Sequence, residues 1–96
     1  MIHSIADQLT RDIFDGVNSK ASRRFPRELH RKAGLKLDLI NAAGALNDLR
    51  VPPGNQLEAL RGDLKGFHSI RINDQWRIIF KWVDNNAEEV QIVDYH

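Results

Sequence analysis

Residues 67–83, FHSIRINDQWRIIFKWV, carry the pattern that decides the fold. Two runs that alternate in polarity, 67–72 and 76–83, are separated by three turn residues. Alternation with a period of two is typical of a strand with one buried face, and a short turn between two such strands predicts antiparallel pairing. The centre of the protein is therefore predicted to be a sheet with one apolar face and one open face.

The alternation also assigns side chains to the two faces. On the first strand, Ile70 and Ile72 lie on one side, and Ser69 and Arg71 lie on the other. The second strand has an apolar side formed by Trp76, Ile78, Phe80 and Trp82. Its opposite side begins with Arg77, so this residue and Arg71 are expected to project together from the open face.

Further strands are predicted on both sides of these two. Residues 56–60 precede them, before the turn 61–66, and residues 88–95 follow after the turn 84–87. The first five residues, MIHSI, are compatible with a short edge strand. Everything after residue 55 is therefore expected to belong to the sheet.

Two helices are predicted ahead of the sheet. Residues 6–16 have Leu9 and Ile13 at helical spacing, and Gly16 is placed as a C-terminal cap. Pro26 suits the first turn of a second, longer helix. The apolar stripe of that helix is predicted to contain Leu29, Ala33, Leu37 and Ile40, widened by Leu35, Leu39 and Ala43. The prolines of 47–55 end the helical region.

Helices followed by a run of strands predict an α+β fold, with the N-terminal helices packed on one face of a mainly antiparallel sheet. The 96 residues are expected to form one domain, 1–96. The chain has no cysteine, which excludes disulfides and thiolate chemistry. It has neither a signal-peptide pattern nor an apolar run of membrane-spanning length, so we expect a cytoplasmic protein with no membrane partner.

The net charge of +1 conceals an uneven distribution. Residues 20–36 contain seven basic residues and one acidic residue, whereas residues 84–94 contain four acidic residues and no basic one. Such a basic segment is typical of a surface that binds a polyanion, and an ordinary solvated helix face is the alternative interpretation. The candidates for RNA binding in this segment are Arg24, Arg27, Arg31, Lys32 and Lys36.

Arginines on an open sheet face suit a phosphodiester. The planar guanidinium donates to two oxygens at once and remains charged at any working pH. Arg61, Arg71 and Arg77 are the candidates. For any one of them taken alone, a solvated surface residue is the alternative.

The chain ends in Asp94, Tyr95 and His96, which are expected to converge with these arginines. Asp94 and His96 would point the same way on a strand, about 6.6 Å apart at roughly 3.3 Å per residue. Tyr95 would then point to the opposite side and pack into the core, the commoner fate of a tyrosine, unless the strand twists or ends before it. RNA supplies its own nucleophile, the 2′-OH, so arginine, carboxylate and imidazole together cover phosphate binding and both proton transfers.

A resemblance to a known family rests on two stretches. Residues 60–82, LRGDLKGFHSIRINDQWRIIFKW, together with the terminal VDYH, resemble the HigB branch of the RelE-like toxins of bacterial toxin–antitoxin systems, in particular its GraT-type members. The resemblance covers residues 46–96 closely and the helical half only in layout. It implies a RelE-like microbial ribonuclease fold and cleavage of messenger RNA on the translating ribosome. It also implies a helix-turn-helix, HigA-like antitoxin, through whose complex operator DNA would be bound.

The resemblance carries catalytic roles to individual positions. It implies that Arg77 contacts the scissile phosphate, that Asp94, Tyr95 and His96 form the terminal catalytic group, and that Arg61 is an accessory basic residue. Some HigB members have a histidine at the position of Glu58, so the general acid and the general base stay unassigned.

No cofactor and no metal are expected, because the four histidines show no ligand spacing. His68 alternates with Ile70 and is expected to pack beside it. The rival interpretation of the whole chain is a noncatalytic module that binds nucleic acid or is covered by an antitoxin.

Overall fold

A four-stranded antiparallel sheet with two α-helices on one face forms the framework of the computed structural model, which describes residues 1–95. The helices are α1 (Gln8–Asp15) and α2 (His30–Ala42). The strands are β1 (Glu58–Ala59), β2 (Phe67–Arg71), β3 (Trp76–Val83) and β4 (Asn86–Asp94), in the spatial order β1-β2-β3-β4. This arrangement confirms the predicted α+β fold.

The apolar face of the central strands meets the helices as predicted. Ile70, Ile78 and Phe80 are fully buried in the same cluster as Leu37 and Ile40 of α2. Burial of apolar surface between sheet and helix is the main stabilising term for such a layer. The opposite sheet face carries Ser69, Arg77 and Ile79, which are buried, and it holds the candidate site.

α1 is fixed at both ends by capping. The Asp7 side chain accepts a hydrogen bond from the Thr10 N–H, which satisfies one free donor of the first turn. Gly16 adopts a left-handed conformation, with φ of 72°, and its N–H bonds back to the last turn. The predicted C-terminal cap is therefore confirmed.

α2 begins later than predicted, because residues 27–29 form a 3₁₀ turn after Pro26. Ala33, Leu37 and Ile40 are fully buried as expected. Leu35 and Leu39 are exposed, so their assignment to the apolar stripe was wrong. At about 100° per residue, these two leucines lie outside the sector that faces the sheet.

The N-terminal and β1 segments pair less extensively than predicted. Residues 1–5 form two isolated parallel bridges with β4, Ile2 to Ala87 and Ile5 to Val90, in place of a continuous edge strand. β1 has only two residues because Gln56 adopts a left-handed backbone, with φ of 46°, and a 3₁₀ turn begins at Gly62. Because β1 is short, a loop that reaches the candidate site forms the rest of this sheet edge.

A β-bulge interrupts the pairing of β3 and β4. Ile79 pairs with Gln91 and Lys81 pairs with Glu88, so β4 contains one extra residue between these pairs. Glu89, at a φ of 53°, absorbs the irregularity. Its carboxylate lies 2.8 Å from the Lys81 ammonium across the bulge.

Candidate functional site

The register of β2 and β3 creates the candidate site, because it places Arg71 directly opposite Arg77. Side chains of cross-strand partners share a face, so both arginines lie on the open side, as predicted. Ser69, two residues before Arg71, lies on the same side. The sheet pairing thus gathers a hydroxyl and two guanidiniums at one end of the open face.

Arg77 is buried, with 7% of its surface exposed, and its guanidinium is held from two directions. Its Nε–H donates to Ser69 Oγ at 2.8 Å, and Nη2 donates to the carbonyl oxygen of Gln56 at 2.7 Å. The first partner belongs to β2 and the second to the loop before β1. Two hydrogen bonds from different nitrogens fix the plane of the guanidinium, which a single bond would leave free to rotate.

One edge of this guanidinium remains available to a ligand. Arg77 Nη1 makes no hydrogen bond to any residue in 1–95, and no buried side-chain nitrogen or oxygen in that range lacks a partner. Nη1 must therefore reach accessible space. A buried, doubly anchored arginine with an accessible edge is arranged to receive an anionic oxygen.

Tyr95 covers the guanidinium from the C-terminal side. Its ring centroid lies 5.5 Å from Arg77 Cζ, within the range of a cation–π contact. The Tyr95 N–H donates to the Gln75 carbonyl at 2.6 Å, which ties the end of the chain to the start of β3. β4 ends at Asp94, so the alternative in which the strand ends before Tyr95 is the one found.

Asp94 does not share this face. It pairs with Trp76, whose side chain faces the helices, whereas Val93 pairs with Arg77. The alternation that buries Val90 and Ile92 carries Asp94 to the same side as those two residues. The expectation that Asp94 joins the arginines on the open face was therefore wrong. The Asp94 carboxylate accepts a hydrogen bond from Gln75 Nε2 at 3.1 Å.

Glu58 supplies a carboxylate to the site from β1. Its Oε1 lies 3.8 Å from Arg77 Nη2, and half of its side-chain surface is exposed. Glu58 pairs with Ser69, so it belongs to the same face as the arginines. An exposed carboxylate beside a phosphate-binding arginine is placed to accept a proton from a bound nucleotide.

Three predicted residues remain: Arg61, Arg71 and His96. Arg61 is exposed at the start of the 3₁₀ turn Gly62–Leu64. His96 lies outside the described residues. Arg71 forms an ion pair with Asp74 within the turn between β2 and β3.

The predicted RNA-binding residues divide into two groups. Arg24, Arg27 and Arg31 line a groove of about 900 Å³ between α1, the following loop and α2. Trp76 also lines this groove, which therefore opens on the helix side of the sheet, away from Arg77.

The second group lies around Lys36 of α2. The pKa of the Lys36 ammonium is lowered mainly by burial and further by the charges of Lys32 and Arg71. These three cations are therefore close enough to interact.

Three contributors to the site were not identified from the sequence as functional residues: Ser69, Gln56 and Asn55. Ser69 was placed on the open face, and a serine between Phe67 and Arg71 on that face is the one signal the sequence offers. Gln56 acts through its main-chain carbonyl, which no side-chain pattern can reveal. Asn55 is fully buried and was read only as part of a loop.

Within residues 1–95, no group of three or more His, Asp or Glu side chains is arranged to hold a metal ion. None of the helices in that range has the length and apolar character needed to cross a bilayer. His68 lies beside Phe80 with ring centroids 6.1 Å apart, which confirms that it packs beside the core, and burial lowers its pKa.

Known structures share this fold. The structure of YafQ from E. coli superposes with a TM-score of 0.64 at 18% identity, over 95% of this chain and 89% of that one. The toxin–antitoxin complex YoeB-YefM from Staphylococcus aureus contains a chain that superposes with a TM-score of 0.62 at 21% identity, over 100% of this chain and 98% of that one. At these identities the likeness establishes the fold, which is RelE-like.

The sequence places the chain more narrowly. The family model described as "RelE-like toxin of type II toxin-antitoxin system HigB" matches residues 4–96. Toxin HigB-1 of Vibrio cholerae is 47% identical over 70 residues, which are 73% of this chain and 74% of that protein. The chain belongs to the HigB family of toxins of type II toxin–antitoxin systems.

Proposed function

We propose that this HigB toxin is a ribosome-dependent endoribonuclease that cleaves messenger RNA by attack of the 2′-OH and so inhibits translation. The observation that carries the proposal is the geometry of Arg77. Its guanidinium is buried and anchored by Ser69 and Gln56, and its Nη1 has no hydrogen-bond partner among residues 1–95. A noncatalytic surface has no need of an arginine fixed in this way, whereas transition-state stabilisation depends on a preorganised donor.

The reaction follows from the groups that surround this edge. The 2′-oxygen bonds to phosphorus as its proton passes to an acceptor, and the bond from phosphorus to the 5′-oxygen breaks as that oxygen receives a proton. The products are a 2′,3′-cyclic phosphate and a 5′-hydroxyl. Arg77 Nη1 donates to a non-bridging oxygen, whose negative charge grows in the transition state.

Proton transfer is assigned to Glu58 and His96. Glu58 lies on the Arg77 face, 3.8 Å from Nη2, where a carboxylate can accept the proton of the 2′-OH. His96 follows Tyr95 directly, and an imidazole can donate a proton to the leaving oxygen near neutral pH. The reaction needs no metal ion, since arginine neutralises the phosphate and the nucleophile belongs to the RNA.

The other predicted residues have supporting roles. Tyr95 orients Arg77 or stacks on a neighbouring base, because its ring covers the guanidinium and is 40% exposed. Asp94 positions the end of the chain through Gln75. Arg61 and Arg71 add positive charge along the messenger.

The basic residues of α2 and of the preceding loop bind ribosomal RNA. Arg24, Arg27 and Arg31 surround a groove on the helix side, while Lys32 and Lys36 extend towards Arg71. Ribosomal RNA presents a dense array of phosphates, which such residues bind without reading sequence. The ribosome would then hold the messenger against Arg77, and free RNA would be cut poorly.

The neutralising partner is proposed to be a helix-turn-helix, HigA-like antitoxin. Membership of the HigB family supports a paired antitoxin, and the related fold of YoeB is found in a complex with YefM. Operator DNA would be bound through the antitoxin and not by the toxin alone.

The test is to express the chain alone and to map messenger 5′ ends with translation active or blocked. We expect growth arrest and new 5′ ends within translated regions, and we expect both to disappear for Arg77→Ala. Arg11→Ala, at an exposed position of α1, is the matched control and should behave as the wild type.

Two outcomes would contradict the proposal. Rapid cleavage of naked RNA, with no gain from ribosomes, would exclude ribosome dependence. RNA binding without cleavage by the well-folded chain would instead favour the noncatalytic module.

A further inference from the structure

A hydrogen-bonded path joins α2 to the Arg77 guanidinium through residues that lie outside the predicted catalytic set. Lys36 Nζ donates to Asn55 Oδ1. The amide Nδ2 of Asn55 donates to the Leu49 carbonyl at 3.1 Å and to the Val51 carbonyl at 3.3 Å. The next residue along the chain is Gln56, whose carbonyl accepts the 2.7 Å hydrogen bond from Arg77 Nη2.

Asn55 has all the features of a structural anchor for this loop. Its surface is fully buried, although it is a polar residue in a loop of prolines and glycine. Its amide nitrogen and its amide oxygen both have partners, which is the condition for burying a polar side chain. The partners belong to both the 49–51 segment and α2, so Asn55 connects the loop to the core on two sides.

Gln56 needs such an anchor because of its backbone conformation. Its φ of 46° and ψ of 54° lie in the left-handed region, which a residue with a Cβ adopts only at a cost. Conformations of this kind persist where the surrounding structure holds them in place. The carbonyl that receives Arg77 Nη2 belongs to this residue, so its direction depends on the anchored loop.

We propose that Asn55 is a positioning residue for Arg77, acting through the main-chain carbonyl of Gln56. Arg77 is then held by Ser69 in the sheet and by Gln56 in the loop. The position of the Gln56 carbonyl depends on the hydrogen bonds that Asn55 makes. Loss of the loop anchor leaves the guanidinium free to turn about its bond to Ser69. The Nη1 edge would then no longer point consistently at the phosphate.

The expected effect of Asn55 on catalysis rests on the proposed function, whereas its effect on the position of Arg77 can be measured without an activity assay. Asn55→Asp keeps the size and the oxygen that faces Lys36 and loses the two donors to Leu49 and Val51. Asn55→Ala removes every contact.

Two readouts separate positioning from a general loss of stability. The first is kcat and KM for cleavage of messenger on programmed ribosomes. The second is the NMR resonance of the Arg77 Nε–Hε group, measured in the toxin alone for its shift and its exchange with solvent. Ile40→Val, a core substitution in α2 away from Arg77, is the control for lowered stability.

We expect both Asn55 variants to lower kcat by about 10- to 100-fold while KM changes by less than about twofold, since positioning affects the transition state more than binding. The Arg77 Nε–Hε group should exchange faster with solvent in both. Ile40→Val should leave both readouts near the wild-type values. If neither Asn55 variant folds, Lys36→Met takes their place and is judged by the Arg77 resonance in the toxin alone, because it removes the donor to Asn55 Oδ1 and also a cation assigned to ribosome binding.

The inference is overturned by wild-type kcat in a folded Asn55→Asp variant, or by a fall in kcat with an unchanged Arg77 resonance. Failure of the proposed function has a different signature. In that case the wild type would itself show no cleavage on ribosomes, or Arg77→Ala would retain it, whatever the Asn55 variants do to the Arg77 resonance.

Discussion

Replacing Arg77 by lysine tests whether the shape of the guanidinium, and not its charge alone, performs the function. In the wild type, Nε bonds Ser69, Nη2 bonds Gln56, and Nη1 is left for the substrate. A lysine carries the same charge but offers three donors on one nitrogen, which cannot reach both anchors and a phosphate together. The substitution therefore removes a preorganised donor and keeps the net charge.

The expected effect can be worked out from these contacts. Loss of one preorganised donor to the transition state lowers the rate by about 10²- to 10³-fold, which corresponds to about 2.7–4 kcal/mol. Unfolding should become easier by about 1.5–3 kcal/mol, because one hydrogen bond from a charged group is lost. The weakened contact with Tyr95 adds about 0.5–1 kcal/mol at most.

The assay is single-turnover cleavage of messenger on programmed ribosomes, read by primer extension, with urea denaturation of the toxin alone as the stability measurement. Arg11→Lys on α1 is the matched control and should change neither quantity. A folded Arg77→Lys variant that cleaves within about threefold of the wild type would refute the reasoning, because charge alone would then suffice.

Three other predictions follow from single contacts. Gly34→Ala should stabilise the toxin by up to about 1 kcal/mol in urea denaturation, because the site is helical and the added methyl would meet the Ile13 carbonyl at an ordinary 3.8 Å; a destabilised variant would show that α1 and α2 pack too closely there. Burial lowers the pKa of His68, so the unfolded chain binds the proton more readily than the folded chain. The free energy of unfolding should therefore decrease as the pH falls from about 6.5, the ordinary pKa of the unfolded chain, to the lower pKa of the folded state. His68→Phe should reduce this loss in denaturation at about pH 7.5 and about pH 5.5, and an unchanged pH dependence would assign it to other groups. Tyr95→Phe keeps a ring over Arg77 and should retain cleavage, whereas Tyr95→Leu should lose about two- to fivefold; equal activities of the two variants would exclude a role for the ring.

The periodic parts of the fold could be predicted because each follows from local geometry. A period of two fixed which side chains of 67–83 face the helices, and the buried Ile70 and Ile78 agree with it. Helical spacing predicted the burial of Leu37 and Ile40 in the same way. The pairing of Arg71 with Arg77 followed from the same alternation and a short turn.

The contacts that complete the site were decided by the tertiary structure. Gln56 meets Arg77 across 21 positions of sequence, and Tyr95, not Asp94, lies over the guanidinium. A main-chain carbonyl carries no sequence signal, and the direction of a side chain at a strand end depends on where the pairing stops. Sequence periodicity determines which face a residue occupies, because backbone geometry repeats locally. Packing of distant segments determines which groups meet on that face, because only the folded chain sets the distances between them.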